Sequence, residues 1–457
     1  MRKKAFSMKQ TWLECIGCGR IQDLLAERKF RCPKCNDLFE IKHNFSPFID
    51  AYTGKGLKSE FEGRKGIFRS TFEPWEMSGV WRYRELIMPY LPTEYIVSLG
   101  EGNVPILPAG KKLMRWLGTD QIKVWIILEG MTPTGSFKDF GGTVMISTAK
   151  AAGVEVVVCA STGDTSAMAA AYAAPAGMKC TVILPEGKVT AVQLAQPFVH
   201  GAKVITLPGS FDDCMRVVQD LVLNHGAYPA NSLNPARIEG HQATAFQIAQ
   251  FFNWKMPDWI AVPVGNGSNS SSIGKGMRLM HGLGITEECS RILGCQSMAA
   301  NPLSSSWNRA QTGMSIFEDA GHANLSLEHW RNNYQPVQVG ETTATAARIG
   351  NPVSREKVMR EVVNSKGAMK TVSELDLNEA VAVCGQDGIF VCPQTGTALA
   401  GVRDAIADGK IQPGQTVVVV STATGLKFTD SAARYLKKEI IKAPDCETDT
   451  VRRIIGM

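Results

Sequence analysis

Four short apolar runs in this chain each end in a turn of small polar residues, a pattern typical of parallel strands in an α/β protein. The runs lie at 126–128, 156–160, 262–264 and 416–420, and strand and helix patterns alternate from about residue 104 onward. Because ligands bind at the carboxyl ends of parallel strands, we expect the four turns to meet at one site. The alternation predicts an α/β fold of two doubly wound domains with a cleft between them.

The first turn contains Lys138 within the sequence Thr-Gly-Ser-Phe-Lys-Asp, residues 134–139. Pro133 and Gly135 break the strand, and an apolar helical pattern then ends at Gly153. A lysine at such a place can form a Schiff base, which requires a neutral amine, and a cleft of low dielectric lowers a lysine pKa. Taken alone, Lys138 would be read as a surface lysine near a helix start, but the other three turns favour a catalytic lysine.

Those three turns are suited to binding anions. They read Ser-Thr-Gly-Asp-Thr-Ser at 161–166, Gly-Asn-Gly-Ser-Asn at 265–269 and Ser-Thr-Ala-Thr-Gly at 421–425. Backbone N–H groups at such turns bind carboxylates and phosphates, although each turn alone could equally be only a tight connection. With one lysine, they are the parts that a site for pyridoxal phosphate requires.

In this order and spacing, the segments resemble pyridoxal-phosphate enzymes of fold type II, and most of all the plant-type branch of the threonine synthases. The resemblance runs from about residue 98 to about residue 430 and includes Asn-Ser-Leu-Asn-Pro-Ala-Arg at 231–237. That motif and the Ser-Thr-Gly-Asp-Thr-Ser turn are specific to the threonine synthase branch.

The resemblance implies a set of cofactor contacts. Lys138 would carry pyridoxal 5'-phosphate as a Schiff base and move protons at the substrate carbons. Thr422 would meet the pyridine nitrogen, and Asp164 would lie near the ring hydroxyl, with capping of a helix as its alternative role. The cofactor phosphate would be held by Gly265, Asn266, Gly267, Ser268 and Asn269.

The resemblance also implies the substrate O-phosphohomoserine, converted with water to threonine and phosphate by γ-elimination and β-addition. This dianionic ester needs a second anion site, for which Ser232, Asn234 and Arg237 are the matching candidates. Without the resemblance, a surface ion pair of Arg237 with Glu239 or another carboxylate would be favoured. The remaining candidates for contact with the substrate are Ser136, Thr162, Thr165 and Ser166.

The chain departs from the family pattern at four positions. Thr132 stands where asparagine is common, Phe140 where arginine or leucine is usual, and Gln394 and Thr424 where histidines are usual. These changes bear on substrate choice and not on the Schiff-base lysine. Two alternatives stay open. One is β-replacement or dehydration of another amino acid on the same scaffold. The other is a regulator or scaffold, with a zinc ribbon at the N-terminal cysteines described next, whose enzyme-like body has lost activity; the intact lysine argues against it.

A second constellation lies at the N-terminus, where Cys15 and Cys18 precede Cys32 and Cys35 by thirteen intervening residues. Paired Cys-x-x-Cys sequences at this separation predict a small zinc ribbon, with a structural zinc because four thiolates leave no coordination position open. Basic residues surround the cysteines, and a solvated basic face is favoured over contact with nucleic acid. The other eight cysteines are expected to be reduced thiols.

Length and charge agree with an enzyme of small anionic molecules. The chain has 457 residues, 44% of them hydrophobic, and a formal net charge of +6. It lacks the apolar run of a secretory signal and any stretch near the ~20 apolar residues of a membrane span, so we expect a soluble cytoplasmic protein. The resemblance implies a homodimer.

The predicted organisation has five parts. They are a zinc-ribbon module at 1–45, an N-terminal arm at 46–97, a larger pyridoxal-phosphate-binding domain at 98–144 and 230–430, a smaller mobile α/β domain at 145–229, and a C-terminal tail at 431–457.

Overall fold

The computed structural model describes residues 10–25, 30–47, 54–65, 73–161, 163–187, 191–312, 325–430 and 441–456. These residues form a mixed α/β fold. The strands are β1 (Thr11–Cys15), β2 (Ile21–Asp23), β3 (Phe39–His43), β4 (Ile106–Pro108), β5 (Lys123–Leu128), β6 (Val156–Cys159), β7 (Lys179–Pro185), β8 (Lys203–Leu207), β9 (Tyr228–Pro229), β10 (Trp259–Pro263), β11 (Arg291–Ser297), β12 (Ala368–Val372) and β13 (Thr416–Ser421).

The α-helices lie between and around these strands. They are Gly54–Lys65, Arg84–Ile87, Lys111–Leu117, Lys138–Ala151, Asp164–Ala173, Ala191–Val199, Phe211–His225, Pro235–His241, Ala243–Phe251, Ser268–Gly282, Pro302–Thr312, Leu327–Asn332, Arg355–Asn364, Glu374–Gln386, Pro393–Ala407 and Thr448–Ile455. Among the described residues, none of the helices is both long enough and apolar enough to cross a membrane.

The largest sheet has the strand order β12-β11-β10-β13-β5-β4 and is parallel except for β4, which runs antiparallel to β5. Its central strand β13 consists mainly of valine and is buried on both faces, as expected for a parallel strand covered by helices. The strands predicted near residues 126, 260 and 417 are neighbours in this sheet. Their carboxyl ends therefore bring three of the four polar turns to one edge.

A second, parallel sheet has the order β8-β7-β6-β9. It contains the strands predicted at 154–160, 181–184 and 204–207. Strand β9 was not predicted, because two residues ending in proline carry too little strand signal. The predicted domain boundary between residues 144 and 145 falls inside the helix Lys138–Ala151, and the domain limits stay predictions.

The N-terminal strands form a three-stranded antiparallel sheet of order β2-β1-β3. The segment that follows packs on the body of the protein: Leu57 and Phe61 are buried, and the Trp81 indole donates to Thr143 Oγ1 at 2.7 Å. Thr143 belongs to the helix Lys138–Ala151, so this arm supports the helix that begins at the candidate catalytic lysine.

Candidate active site

Lys138 is the first residue of the helix Lys138–Ala151, and the turn before it is fixed by local hydrogen bonds. Gly135 has a φ of +81°, a conformation that favours glycine. The Asp139 carboxylate accepts hydrogen bonds from the Thr134 backbone N–H at 2.7 Å and from its hydroxyl at 2.5 Å. The backbone that carries the lysine is therefore closely held.

The lysine turn is joined to the turn after β13. The Phe137 N–H donates to the Thr422 carbonyl at 2.9 Å, and the Thr424 N–H donates to the Gly135 carbonyl at 3.1 Å. Two segments almost 300 residues apart in the sequence thus form one hydrogen-bonded unit, which confirms that these two polar turns meet.

The Lys138 amine lies in an environment that favours its neutral form. Its side chain is partly buried. Burial first, and then the charge of Arg237, lowers the pKa of Lys138 from 10.5 to about 7. Asp164 and Glu129 act in the opposite direction. A large fraction of the amine is consequently unprotonated at neutral pH, as a Schiff-base lysine requires.

This pKa predicts the pH dependence of the free amine. Since the shift is downward, Lys138 is protonated below about pH 7 and neutral above it. In protein without cofactor, reductive methylation of Lys138 by formaldehyde and cyanoborohydride should therefore rise through a midpoint near pH 7. Peptide mass spectrometry at each pH measures this. A midpoint near the ordinary lysine value of about 10.4 would contradict the prediction.

Glu129 directly follows β5 and contacts the loop at 265–269. Its buried carboxylate accepts hydrogen bonds from the Thr244 hydroxyl and, at 3.4 Å, from the Asn269 amide. Burial raises the pKa of Glu129 to about 7, against the hydrogen bonds and the charge of Lys138. The sequence analysis missed this residue, although a carboxylate at the carboxyl end of a buried strand was a usable signal.

The loop at 265–269 leads directly into the helix Ser268–Gly282. Gly267 has a φ of +88°, and a Cβ there would lie 2.3 Å from Val358 Cγ2, so both conformation and space require glycine. The first N–H groups of a helix have no partner within it and attract anions. The loop thus has the backbone arrangement of a phosphate site.

The side chain of Asn266 holds this loop in place. Its oxygen accepts a hydrogen bond from the Val353 N–H at 2.7 Å, and its nitrogen donates to Ser232 Oγ at 2.5 Å. The loop is therefore joined to Ser232, one of the candidates for the second anion site.

Arg237 is buried, with 1% of its surface exposed. Its Nη1 donates to the Ala230 carbonyl at 2.9 Å, while Nε and Nη2 have no hydrogen-bond partner in the part of the chain that the structure describes. Burial lowers the pKa of Arg237 to about 10, which still leaves it charged at neutral pH. A buried charge without a counter-ion is costly, so this geometry indicates an anionic ligand.

The alternative ion pair between Arg237 and Glu239 is wrong. The Glu239 carboxylate contacts Lys275 and His43 instead. Residues two apart on a helix point to different sides, which explains why neighbours in sequence have different partners.

Asn234 caps the helix that carries Arg237. Its oxygen accepts from the Ala236 N–H at 3.1 Å and caps the helix Pro235–His241, and its nitrogen donates to the Pro229 carbonyl at 3.0 Å. Its amide is thus engaged by the backbone, and the residue fixes the helix on which Arg237 lies.

Asp164 does not cap its helix, because the capping position falls on Gly163 and the helix begins at Asp164 itself. The Asp164 carboxylate instead lies 2.9 Å from Lys427 Nζ, which also donates to the Thr134 carbonyl at 2.9 Å. This ion pair joins the turn at 161–166 to the lysine turn, and Lys427 is a second residue that the sequence analysis missed.

The remaining residues predicted to contact the substrate differ in burial and in hydrogen bonding. Ser136 is buried, and its hydroxyl lacks a hydrogen-bond partner among the described residues. Thr165 is half-buried, and the Ser166 hydroxyl donates to the Gly163 carbonyl at 2.7 Å. Thr162 lies outside the described residues.

Thr422 lies in a cluster of small polar side chains. Its hydroxyl is 3.6 Å from Cys392 Sγ, which is also 3.1 Å from the Thr395 hydroxyl. Burial raises the pKa of Cys392, so this thiol stays neutral. Gln394, which precedes Thr395 in the sequence, is also buried. Neither the oxygen nor the nitrogen of its amide has a hydrogen-bond partner within the described ranges.

His241 is the third residue that the sequence analysis missed. It is buried at the end of the helix that carries Arg237, and its ring centroid is 4.9 Å from that of Phe137. Burial, followed by the charges of Arg237 and Lys138, lowers the pKa of His241 well below its ordinary value. A histidine one helical turn after the arginine was the available signal.

These residues fit pyridoxal phosphate. The site offers a lysine amine with a lowered pKa, a helix N-terminus preceded by a glycine-dependent loop, and a hydroxyl at Thr422. Polar atoms without partners in the described chain, on Ser136, Arg237 and Asn269, are further groups that a polar ligand would satisfy.

Comparisons with known proteins agree with this geometry. The family model described as pyridoxal-phosphate dependent enzyme matches residues 97–423. The threonine synthase of Methanocaldococcus jannaschii is 36% identical over 96% of this chain and 98% of its own length. The chloroplastic threonine synthase 2 of Arabidopsis thaliana is 34% identical over 88% of this chain and 74% of its own length.

A solved structure shares the fold. The threonine synthase of Escherichia coli superposes with a TM-score of 0.62 at 17% identity, over 97% of this chain and 94% of its own. The structure of maize serine racemase superposes with a TM-score of 0.58 at 16% identity, over 79% of this chain and 97% of its own. The chain belongs to the family of pyridoxal-phosphate-dependent enzymes, among the threonine synthases.

Proposed function

We propose that this protein converts O-phosphohomoserine and water to threonine and phosphate with pyridoxal phosphate as its cofactor. The observation that carries the proposal is Arg237, a buried guanidinium with two nitrogens lacking partners among the described residues, whose charge acts on Lys138. A phosphate ester held there would lie beside the amine that moves protons. The curated relatives are threonine synthases, which favours this reaction over β-replacement or dehydration of another amino acid.

The cofactor, when bound, withdraws electrons from the substrate carbon next to the amine. Lys138 would hold it and, once released, would accept the proton from Cα in its neutral form. Its pKa of about 7 suits that work, because a base titrating near the working pH both accepts and returns protons readily. The loop at 265–269 would hold the cofactor phosphate through backbone N–H groups.

Arg237 would hold the substrate phosphate and stabilise it as it leaves Cγ. Within the described part of the chain, Nε and Nη2 of the guanidinium have no partner, and their planar arrangement matches two oxygens of a phosphate. Ser232 precedes the helix that carries Arg237 and accepts a hydrogen bond from Asn266 of the loop at 265–269. Asn234 would act by capping the helix that carries Arg237. The turn at 161–166 would receive the substrate carboxylate.

The experiment that tests the reaction uses purified protein loaded with pyridoxal phosphate. With O-phosphohomoserine, threonine and inorganic phosphate should appear in equal amounts, while O-phosphoserine should yield little phosphate. Amino-acid analysis and a phosphate assay measure the two products. Phosphate release from O-phosphoserine without threonine from O-phosphohomoserine would contradict the proposal and support β-replacement.

For the N-terminus, we propose a structural zinc ion. The four sulfur atoms of Cys15, Cys18, Cys32 and Cys35 lie within 4.8 Å of one another, and two of the pairs are 3.4 and 3.6 Å apart. Four sulfurs at about 2.3 Å from a tetrahedral zinc would be roughly 3.8 Å apart, so the cluster fits the ion closely. The three-stranded sheet around the cysteines would then be a zinc ribbon.

The zinc proposal predicts a stoichiometry. Purified protein should contain about one zinc per chain. Cys35→Ser should lower the zinc content severalfold, because a structural site depends on all four thiolates. Cys446→Ser, which changes an exposed cysteine outside the cluster, is the matched control and should keep the metal. Elemental analysis by mass spectrometry measures both, and equal zinc content in the two variants would contradict the site.

The assembly and location are proposals from the same resemblance. A homodimer in the cytoplasm is expected, with a small-molecule substrate and no nucleic-acid or membrane partner. Light scattering coupled to size-exclusion chromatography tests the dimer, for which the expected mass is twice the 49.6 kDa of one chain.

A further inference from the structure

A buried cluster of polar and charged side chains joins the cysteine-bearing sheet to the candidate active site. His43 of β3, Glu239 and Lys275 expose 3%, 1% and 13% of their side chains. Lys275 Nζ contacts the Glu239 carboxylate and donates to the Ile41 carbonyl at 2.8 Å. His43 Nε2 lies 3.6 Å from the other oxygen of Glu239. The Glu239 carboxylate therefore joins its own helix to two other segments, β3 and the helix Ser268–Gly282.

Each of these segments has a place in the site. Glu239 lies on the helix Pro235–His241, which carries Arg237. Lys275 lies on the helix Ser268–Gly282, whose first residues belong to the proposed phosphate loop. His43 ends β3, which pairs along its whole length with β1, the strand that ends at Cys15. The cluster thus connects both anion-binding elements with a strand of the cysteine module.

A second set of contacts fixes β3 to the helix Arg355–Asn364. The buried Glu40 carboxylate lies 2.5 Å from Arg360, and Lys357 Nζ donates to the Phe39 carbonyl at 2.7 Å. Val358 on the same helix lies against Gly267 of the phosphate loop. Strand β3 is therefore connected to the loop at 265–269 through two helices, Ser268–Gly282 and Arg355–Asn364.

We propose that the cysteine module is part of the frame of the active site, so that metal on the four cysteines sets the affinity for phosphate groups. Glu239 and Lys275 are positioning residues: they hold the Arg237 helix and the phosphate-loop helix against β3 and touch no reacting atom. Metal fixes Cys15 at the end of β1, and β1 aligns β3. Loss of the metal loosens β3, and with it both anion-binding elements. The inference rests on the zinc site and the phosphate sites proposed above.

The test uses the full chain and measures binding directly. Zinc is removed with a chelator, and the dissociation constants of pyridoxal phosphate and inorganic phosphate are measured before removal, after it, and after zinc is restored. Both constants should rise roughly tenfold without metal and return with it, as expected when an element that presents charge-assisted hydrogen bonds is loosened. Hydrogen exchange should increase in residues 235–241 and 265–275.

Glu239→Gln separates the proposed connection from a general effect on folding. The amide keeps the size of the side chain and loses the charge that pairs with Lys275. The variant should bind zinc normally and bind phosphate weakly, and zinc removal should then have little additional effect. Glu356→Gln is the matched control. Glu356 lies on the helix Arg355–Asn364 and forms a more exposed ion pair with Arg331, so its loss should leave the dissociation constants of both phosphate ligands unchanged.

Three results would overturn the inference. One is an unchanged affinity for both phosphate groups, with unchanged hydrogen exchange, in samples from which analysis shows that zinc is gone. Another is a Glu239→Gln protein that responds to zinc removal as fully as the native protein does. The third is native protein that contains no zinc when purified, which would overturn both this inference and the zinc site. Failure to bind pyridoxal phosphate at any zinc content would instead contradict the proposed function.

Discussion

Lys138→Ala is expected to lower kcat/KM for threonine formation by at least roughly 10⁴-fold, because proton transfer by a positioned group alone contributes about 10²–10⁴-fold and the covalent hold on the cofactor is lost as well. The side chain is partly buried beside Arg237 and Asp164, and no other lysine shares its turn. Steady-state kinetics with O-phosphohomoserine measures the loss.

Lys112→Ala is the control for this substitution. Lys112 lies on the surface and donates to the Gln386 carbonyl at 3.3 Å, away from the candidate site. It should retain native kinetics and native cofactor content. An alanine variant of Lys138 with more than about a tenth of native activity would show that another group performs the proton transfers.

Arg237→Gln is expected to lower kcat/KM for O-phosphohomoserine by on the order of 10²–10³-fold. Two nitrogens of the guanidinium have no hydrogen-bond partner among the residues that the structure describes, and hydrogen bonds to charged groups contribute about 1.5–3 kcal/mol each. Arg237→Lys keeps the charge but loses the planar fork, so it should recover only part of the loss. Kinetics and inhibition by inorganic phosphate measure both variants.

The pyridoxal phosphate content separates binding of the substrate from a general loss of structure. If Arg237 serves the substrate, both variants should hold about one cofactor per chain, because the proposed site of the cofactor phosphate is the loop at 265–269. Arg331→Gln, which breaks an exposed ion pair with Glu356, is the control and should leave kinetics unchanged. Native kinetics in Arg237→Gln would remove the main support for a phosphorylated substrate.

The parts of the site that lie at strand ends could be predicted from the sequence. Lys138, the loop at 265–269 and Thr422 each follow an apolar run, and the topology of a parallel sheet brings such positions together. The structure places the turns of Lys138 and Thr422 in direct hydrogen-bond contact, and Glu129, which follows the same strand as the lysine turn, accepts a hydrogen bond from Asn269 of the loop.

The partners of residues that act through distant contacts could not be predicted in this way. Glu129 receives its hydrogen bonds from Thr244 and Asn269, which are 115 and 140 residues away. Lys427 pairs with Asp164 across two turns, and no local pattern indicates that partner. From the sequence, Asp164 was a candidate helix cap and Arg237 a candidate ion-pair partner of Glu239, but Gly163 occupies the cap position and Glu239 pairs with Lys275.

The central claim is that the Lys138 amine holds pyridoxal phosphate while the loop at 265–269 holds its phosphate. Borohydride reduction of the loaded protein fixes a Schiff-base link permanently, and peptide mass spectrometry then locates the added mass. The account predicts one modified peptide, with the cofactor on Lys138. Cofactor attached to another lysine, or no attachment in protein that makes threonine, would contradict it.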